Sequence, residues 1–225
     1  MNILALETST RQLSVALWRD GAVTERKAES ITGGSALVLP WVDELLAEAG
    51  LAMGALDGIA FGAGPGSFTG LRLACGVAQG LACGLDLPTL GVSTLAALAL
   101  ASGEPRVFAC LDARMNEVYF AAYAVAGDAV TELQAPQVAP PNMVALPVGD
   151  DWIGCGDGFA SYGAALPQPA RVRADVWPTA AAVAALAAPL LARGEGGDAA
   201  QAMPFYVRDK VALTTAERLA RGGVR

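Results

Sequence analysis

The chain has 225 residues, a net charge of −7, 54% apolar residues and no histidine. That length suits one compact unit or two small lobes with a real core, and the composition excludes disordered, collagen-like and coiled-coil chains. Without histidine there is no Ser-His-Asp or Cys-His nucleophile, no His-ligated metal and no imidazole base. Any chemistry falls to carboxylates, backbone amides, hydroxyls or the only lysines, Lys27 and Lys210.

The acidic balance argues against autonomous nucleic-acid binding, which needs a basic footprint. The stretch from Phe205 onward is the exception: Arg208, Lys210, Arg218, Arg221 and Arg225 face Asp209 and Glu217, so it carries +3 and leaves −10 elsewhere. It reads as a solvated tail. Cys75, Cys83, Cys110 and Cys155 form no C-x-x-C pair and read as buried, reduced thiols. Met1–Glu7 lacks the basic start of a signal peptide, and no continuous apolar run reaches spanning length, so the cytoplasm is the expected compartment.

In chain order, a strand is expected at Ile3–Leu6, ending at Glu7, followed by a turn through Thr8, Ser9 and Thr10. A strand at Leu13–Arg19, a turn at Asp20-Gly21 and a strand from Ala22 complete a hairpin. A helix follows at Ser35–Ala49, closed by Gly50, then a strand at Asp57–Phe61 and a Gly-rich loop at Gly62–Gly66. Next come a helix at Thr69–Leu85, a strand at Thr89–Val92 and a helix capped by Ser93 that runs to Ala101. Ser102–Pro105 marks a boundary.

Beyond it the order of parts repeats. A strand at Val107–Leu111 ends at Asp112, a turn spans Arg114–Asn116, and strands at Val118–Val125 and Ala129–Leu133 flank Gly127-Asp128. Glu7 and Asp112 hold matching places 105 positions apart, which points to an internal duplication. Pro136–Pro147 reads as an irregular connection, Trp152–Cys155 as a short strand, Asp157–Leu166 as a short helix and Pro178–Arg193 as an Ala-rich helix. The expected architecture is α/β, with two lobes that each open on an antiparallel hairpin in a mixed sheet.

Gly62-Ala63-Gly64-Pro65-Gly66-Ser67-Phe68-Thr69-Gly70 follows a strand and opens a helix, a geometry that favours an anion at the helix start. It lacks the Gly-Lys-Ser/Thr of a Walker loop, and Ser67 stands where a dinucleotide fingerprint needs glycine. A phosphate cradle and a plain tight turn are both open readings. The same holds for Gly154-Cys155-Gly156-Asp157-Gly158. Asp112 reads equally as a group facing a nucleotide cleft and as a turn cap, whereas Glu7 leans to a structural role.

Two helices have too little polar surface for a single buried face. In the second, Gly76, Gly80 and Gly84 form one row, Ala74, Ala78 and Ala82 another, and Arg72 is the only charge. Each interior glycine costs roughly 1 kcal/mol relative to alanine, which close approach of another backbone would offset. In the first helix, Leu37, Trp41 and Leu45 form one stripe, with Val38, Val42 and Leu46 beside it. Helices apolar on two faces either cover each other inside one lobe or meet a partner, and the second face favours a partner.

Ile3-Leu4-Ala5-Leu6-Glu7-Thr8-Ser9, Ser14-Val15-Ala16-Leu17, Leu39-Pro40 and Gly64-Pro65-Gly66-Ser67-Phe68-Thr69-Gly70-Leu71-Arg72 together resemble the TsaB family, formerly YeaZ. Gly91–Leu95, Asp112-Ala113-Arg114 with Glu117-Val118-Tyr119, Gly156-Asp157-Gly158 and Pro204–Arg208 extend the match over nearly the whole chain. The resemblance implies an ASKHA (actin-like, Hsp70-like, sugar-kinase-like) fold. Residues 1–103 would form a lobe carrying the partner-binding helices, and 104–225 a reduced second lobe with a tail that can pack back on the first.

It also implies a non-catalytic scaffold required for N6-threonylcarbamoyladenosine formation at tRNA position 37. In that system a separate enzyme makes threonylcarbamoyl-adenylate, and TsaD transfers its threonylcarbamoyl group with a histidine-held metal. TsaB, the paralogue without that metal, pairs with TsaD, and an ATPase, TsaE, joins them. Thr32–Val38 covers the stretch that would host TsaD-like ligands and has no histidine. The implied interface comprises Leu37, Val38, Trp41, Leu45, Leu71, Arg72, Cys75, Gly76, Gln79 and Gly80. A vestigial nucleotide cleft would hold Glu7, Thr8, Ser9, Gly64, Gly66, Ser67, Asp112, Gly156, Asp157 and Gly158. Glu7 departs from the Asp more usual on ASKHA first strands. No cofactor or metal is expected, tRNA is reached only through the partner, and a homodimer forms when the partner is absent. The alternative is an active ASKHA phosphotransferase or ATPase using Asp112 and the Gly-rich loops.

Overall fold

A computed structural model describes residues 1–29 and 34–208. Lys210, Arg218, Arg221 and Arg225 of the basic tail, and Thr32 and Gly33 of the stretch before the first helix, lie outside the described residues.

The first lobe opens with β1 (Asn2–Glu7), β2 (Gln12–Arg19) and β3 (Ala22–Glu29), an antiparallel meander in which Leu4 faces Leu17 and Val15 faces Arg26. After α1 (Ser35–Ala49) comes β4 (Gly58–Gly64), parallel to β1. After α2 (Phe68–Leu85) comes β5 (Thr89–Ser93), parallel to β4. The sheet order is β3-β2-β1-β4-β5.

Strand alternation sorts this sheet into two faces. Leu4, Leu6, Val15, Leu17, Ile59 and Phe61 pack beneath α1 and α2, whereas Ile3, Ala5, Ala16 and Ala60 face the other way. α2 has the length and hydropathy of a membrane span, yet Leu71, Ala74, Cys75, Ala78 and Ala82 along one side lie in the core.

The second lobe repeats the plan. α3 (Thr94–Ser102) leads into β6 (Arg106–Arg114), β7 (Glu117–Ala126) and β8 (Ala129–Ala139), again an antiparallel meander. Then β9 (Ile153–Cys155) runs parallel to β6, α4 (Gly158–Tyr162) follows, and β10 (Arg171–Arg173) runs parallel to β9. Read from β8, the order β8-β7-β6-β9-β10 matches the first lobe strand for strand.

Two expectations are corrected here, and one strand was not foreseen. β8 continues through Pro136 to Ala139, because it is an edge strand and shifts register twice against β7, so the missing N–H is tolerated. The expected Asp157–Leu166 helix shortens to α4. β10, Arg-Val-Arg, carries no apolar run and gave no strand signal.

The lobes exchange helices. Leu95, Leu98 and Ala99 of α3 pack on the second sheet with Val107, Ala109 and Leu111. α5 (Ala180–Ala192), late in the chain, packs with Val183, Ala184 and Ala187 on the first sheet. Its first free amides are met by first-lobe side chains: Ala180 N–H donates to Ser14 Oγ at 2.7 Å and Ala181 N–H to Glu25 Oε1 at 2.9 Å.

Candidate functional site: an inter-lobe cleft and a two-helix face

A cleft of about 450 Å³ lies between the lobes. Ser9, Thr10 and Arg11 of the β1–β2 turn and Gly66, Ser67 and Phe68 at the start of α2 form one side. Asp112, Arg114, Met115, Tyr119 and Asp157 form the other, and Phe205–Arg208 a third wall. Of the sequence candidates, Ser9, Gly66, Ser67, Asp112 and Asp157 line it, whereas Glu7, Thr8, Gly64, Gly156 and Gly158 do not.

Close packing explains those glycines. A Cβ on Gly62 would overlap the Glu7 carboxylate, and one on Gly66 would stand 2.7 Å from Ser9 Cβ. On Gly156 it would overlap the Cys110 carbonyl, and on Gly158 it would stand 2.5 Å from Cys110 Sγ. The glycines thus serve close packing within the chain, while Gly66, Ser67 and Asp157 still line the cleft.

The carboxylates are likewise committed. Glu7 is fully buried; Oε1 accepts from Ser9 N–H at 2.7 Å, and Oε2 has no hydrogen-bond partner among the described residues. Burial raises its pKa, with the Ser9 and Thr8 hydrogen bonds opposing. Asp112 caps the β6–β7 turn: Oδ1 accepts from Arg114 N–H at 2.8 Å and from Tyr162 Oη at 3.1 Å, and Oδ2 pairs with the Arg114 guanidinium at 3.0 Å. Asp157 Oδ1 accepts from Asp112 N–H at 2.9 Å, and burial raises its pKa. Among the described residues no group of three Cys, Asp or Glu side chains is gathered for a metal. Sequence reasoning missed Arg114, Tyr119 and Phe205–Arg208 as cleft residues; their only signal was their presence in the motifs Asp112–Tyr119 and Pro204–Arg208.

The second feature is the outer surface of α1 and α2, which lie on the same face of the first sheet. Leu37 and Leu39 are exposed, as is Pro40, and Trp41 is half-buried. On α2, Gly76, Gly80 and Gly84 are exposed, and a Cβ added at any of them meets nothing within 4 Å. Arg72 is exposed, its guanidinium carbon 3.9 Å from the Phe68 ring centroid.

Val38, Leu45, Leu71 and Cys75, expected on this surface, instead turn into the chain's own core. The Gln79 amide is held by the chain, donating to the Ala199 carbonyl at 3.0 Å. The outward set is Leu37, Trp41, Arg72, Gly76 and Gly80, to which the structure adds Leu39, Pro40, Phe68 and Gly84. Cys83 also corrects an expectation: it is exposed on α2, while Cys75, Cys110 and Cys155 are buried.

Two copies of one five-stranded unit, facing across a cleft and exchanging helices, define a duplicated two-lobed α/β protein. The family model described as TsaD, tRNA N6-adenosine threonylcarbamoyltransferase, matches residues 34–216. The tRNA threonylcarbamoyladenosine biosynthesis protein TsaB of Escherichia coli (strain K12) is 34% identical over 225 residues, covering 94% of this chain and 96% of that protein. The structure of YeaZ from Pseudomonas aeruginosa superposes with a TM-score of 0.86 at 43% identity, covering 91% of this chain and 99% of that one. A second Pseudomonas aeruginosa structure, described as similar to peptidase YeaZ, gives 0.87 at 42% identity over 92% and 99%. The chain belongs to the TsaB (YeaZ) family, within the wider TsaD family.

Proposed function

We propose that this chain is a non-catalytic scaffold subunit in N6-threonylcarbamoyladenosine formation at tRNA position 37, pairing with a TsaD-type transferase and activating it. The observation that carries the reading is the row Gly76, Gly80, Gly84. Gly76 and Gly80 sit mid-helix and Gly84 in the last turn, all on an exposed face where alanine would cost nothing sterically and would gain about 1 kcal/mol at each of the two interior positions. The isolated chain gives no reason to keep them. Close approach of a second helix does, and Leu37, Leu39, Pro40 and Trp41 extend the same apolar surface on α1.

The match to both TsaB and the TsaD model supports a paralogue as the partner. In its absence the same face would join two copies of this chain. A TsaE-type ATPase would join the pair, tRNA would be contacted through the partner, and the assembly would work in the cytoplasm. The commitments of Asp112 and the Gly-rich loops weigh against catalysis in this chain's own cleft.

Reconstitution of tRNA modification from purified components tests the proposal. Modification should require this chain and survive Asp112→Ala at a rate within about threefold of wild type. Undiminished modification without the chain, or robust ATP turnover by the isolated chain that Asp112→Ala abolishes, would overturn it.

A further inference from the structure

The last described segment begins on the first lobe and ends in the second. It runs antiparallel to α2: Gln79 donates to the Ala199 carbonyl at 3.0 Å, the Cys75 thiol meets the Ala202 carbonyl at 3.4 Å, and the Tyr206 ring lies 6.1 Å from that of Phe68. Between these contacts, Phe205 N–H donates to the Ala63 carbonyl at 2.6 Å, and the Phe205 carbonyl passes over Gly64. A Cβ on Gly64 would stand 2.6 Å from that oxygen, so only glycine lets the segment lie there.

Three residues beyond Phe205, Arg208 enters the second lobe. Its side chain is 14% exposed, donates to the Ala113 carbonyl at 3.1 Å, pairs with Glu117 and faces the Tyr119 ring at 5.8 Å. The hairpin it grips is unusual. Arg114, Met115 and Asn116 all adopt left-handed φ, at 60°, 56° and 59°, a run that side-chain-bearing residues rarely make. Such a turn persists when its surroundings fix it, and Arg208 brackets this one from Ala113 to Glu117.

We propose that Ala199–Arg208 is an inter-lobe latch that closes one side of the cleft, with Arg208 as the group that bolts it into the second lobe. The contacts to α2 hold its beginning, and the Arg208 contacts hold its end. The stretch at Phe205 is therefore secured from both lobes. The latch belongs to the isolated chain and does not depend on the scaffold role.

Amide hydrogen exchange on the full chain tests this, read at the Phe205 amide in the first lobe and at β1 amides as a control. Arg208→Gln should speed Phe205 exchange at least tenfold and leave β1 unchanged. Wild-type Phe205 protection in Arg208→Gln would overturn the latch. Should that variant loosen β1 as well, the milder Glu117→Gln decides. Phe205 exchange at least threefold faster over a protected β1 supports the latch, and unchanged Phe205 exchange overturns it.

Discussion

The hydroxyl of Ser14, on a first-lobe strand, accepts a 2.7 Å hydrogen bond from the N–H of Ala180, which opens a helix 166 residues later. Both residues are fully buried. The bond tells α5 which sheet to cover. Ser14→Ala leaves a buried helix-end amide without a partner, which costs about 1–3 kcal/mol. Urea unfolding should show that loss, and a midpoint equal to wild type would contradict it.

Glu7 gives a pH dependence. Burial raises its folded-state pKa, so the folded state holds that proton more tightly than the unfolded chain. The site is neutral and unpenalised below the ordinary Glu value of 4.5, and stability is lost as pH rises from there toward the raised folded-state value. Glu7→Gln removes the titration. The variant should gain on wild type as pH rises from about 4.5, with a slope of at most about 1.4 kcal/mol per pH unit for one proton. Urea midpoints of the two proteins that track each other across that window would contradict this.

The thiols separate by burial. Cys83 is exposed on α2, whereas burial pushes Cys155 up to about 11 and raises Cys110 further still. A chromogenic disulfide reagent at pH 8 should modify one thiol per folded chain quickly and the other three only on unfolding. Rapid reaction of two or more in the folded state would contradict the packing.

Much of this architecture was legible in the sequence for physical reasons. The continuous apolar runs Ile3–Leu6 and Val107–Leu111 mark buried strands, and Asp20-Gly21 and Gly127-Asp128 mark the turns of two equivalent hairpins. The helix exchange was hidden, because α3 and α5 are apolar nearly all round and their periodicity does not name a sheet. The faces of α1 and α2 were legible only as stripes. Which stripe points inward depends on the sheet beneath, so Val38 and Leu45 read as interface and proved to be core. The cleft wall at Phe205–Arg208 showed only as part of the motif Pro204–Arg208 and otherwise read as the start of a solvated tail, since contacts between residues about ninety positions apart leave no local pattern.

We propose that the glycine row of α2 is where a TsaD-type partner docks. Binding of that partner to wild type and to the double variant Gly76→Leu, Gly80→Leu, measured by calorimetry beside thermal unfolding of each isolated chain, tests it most directly. Both added side chains enter open space, so the variant should be at least as stable as wild type. It should bind the partner at least a hundredfold more weakly, because bulk on the row holds the second helix away. Wild-type affinity in a folded double variant would contradict the claim.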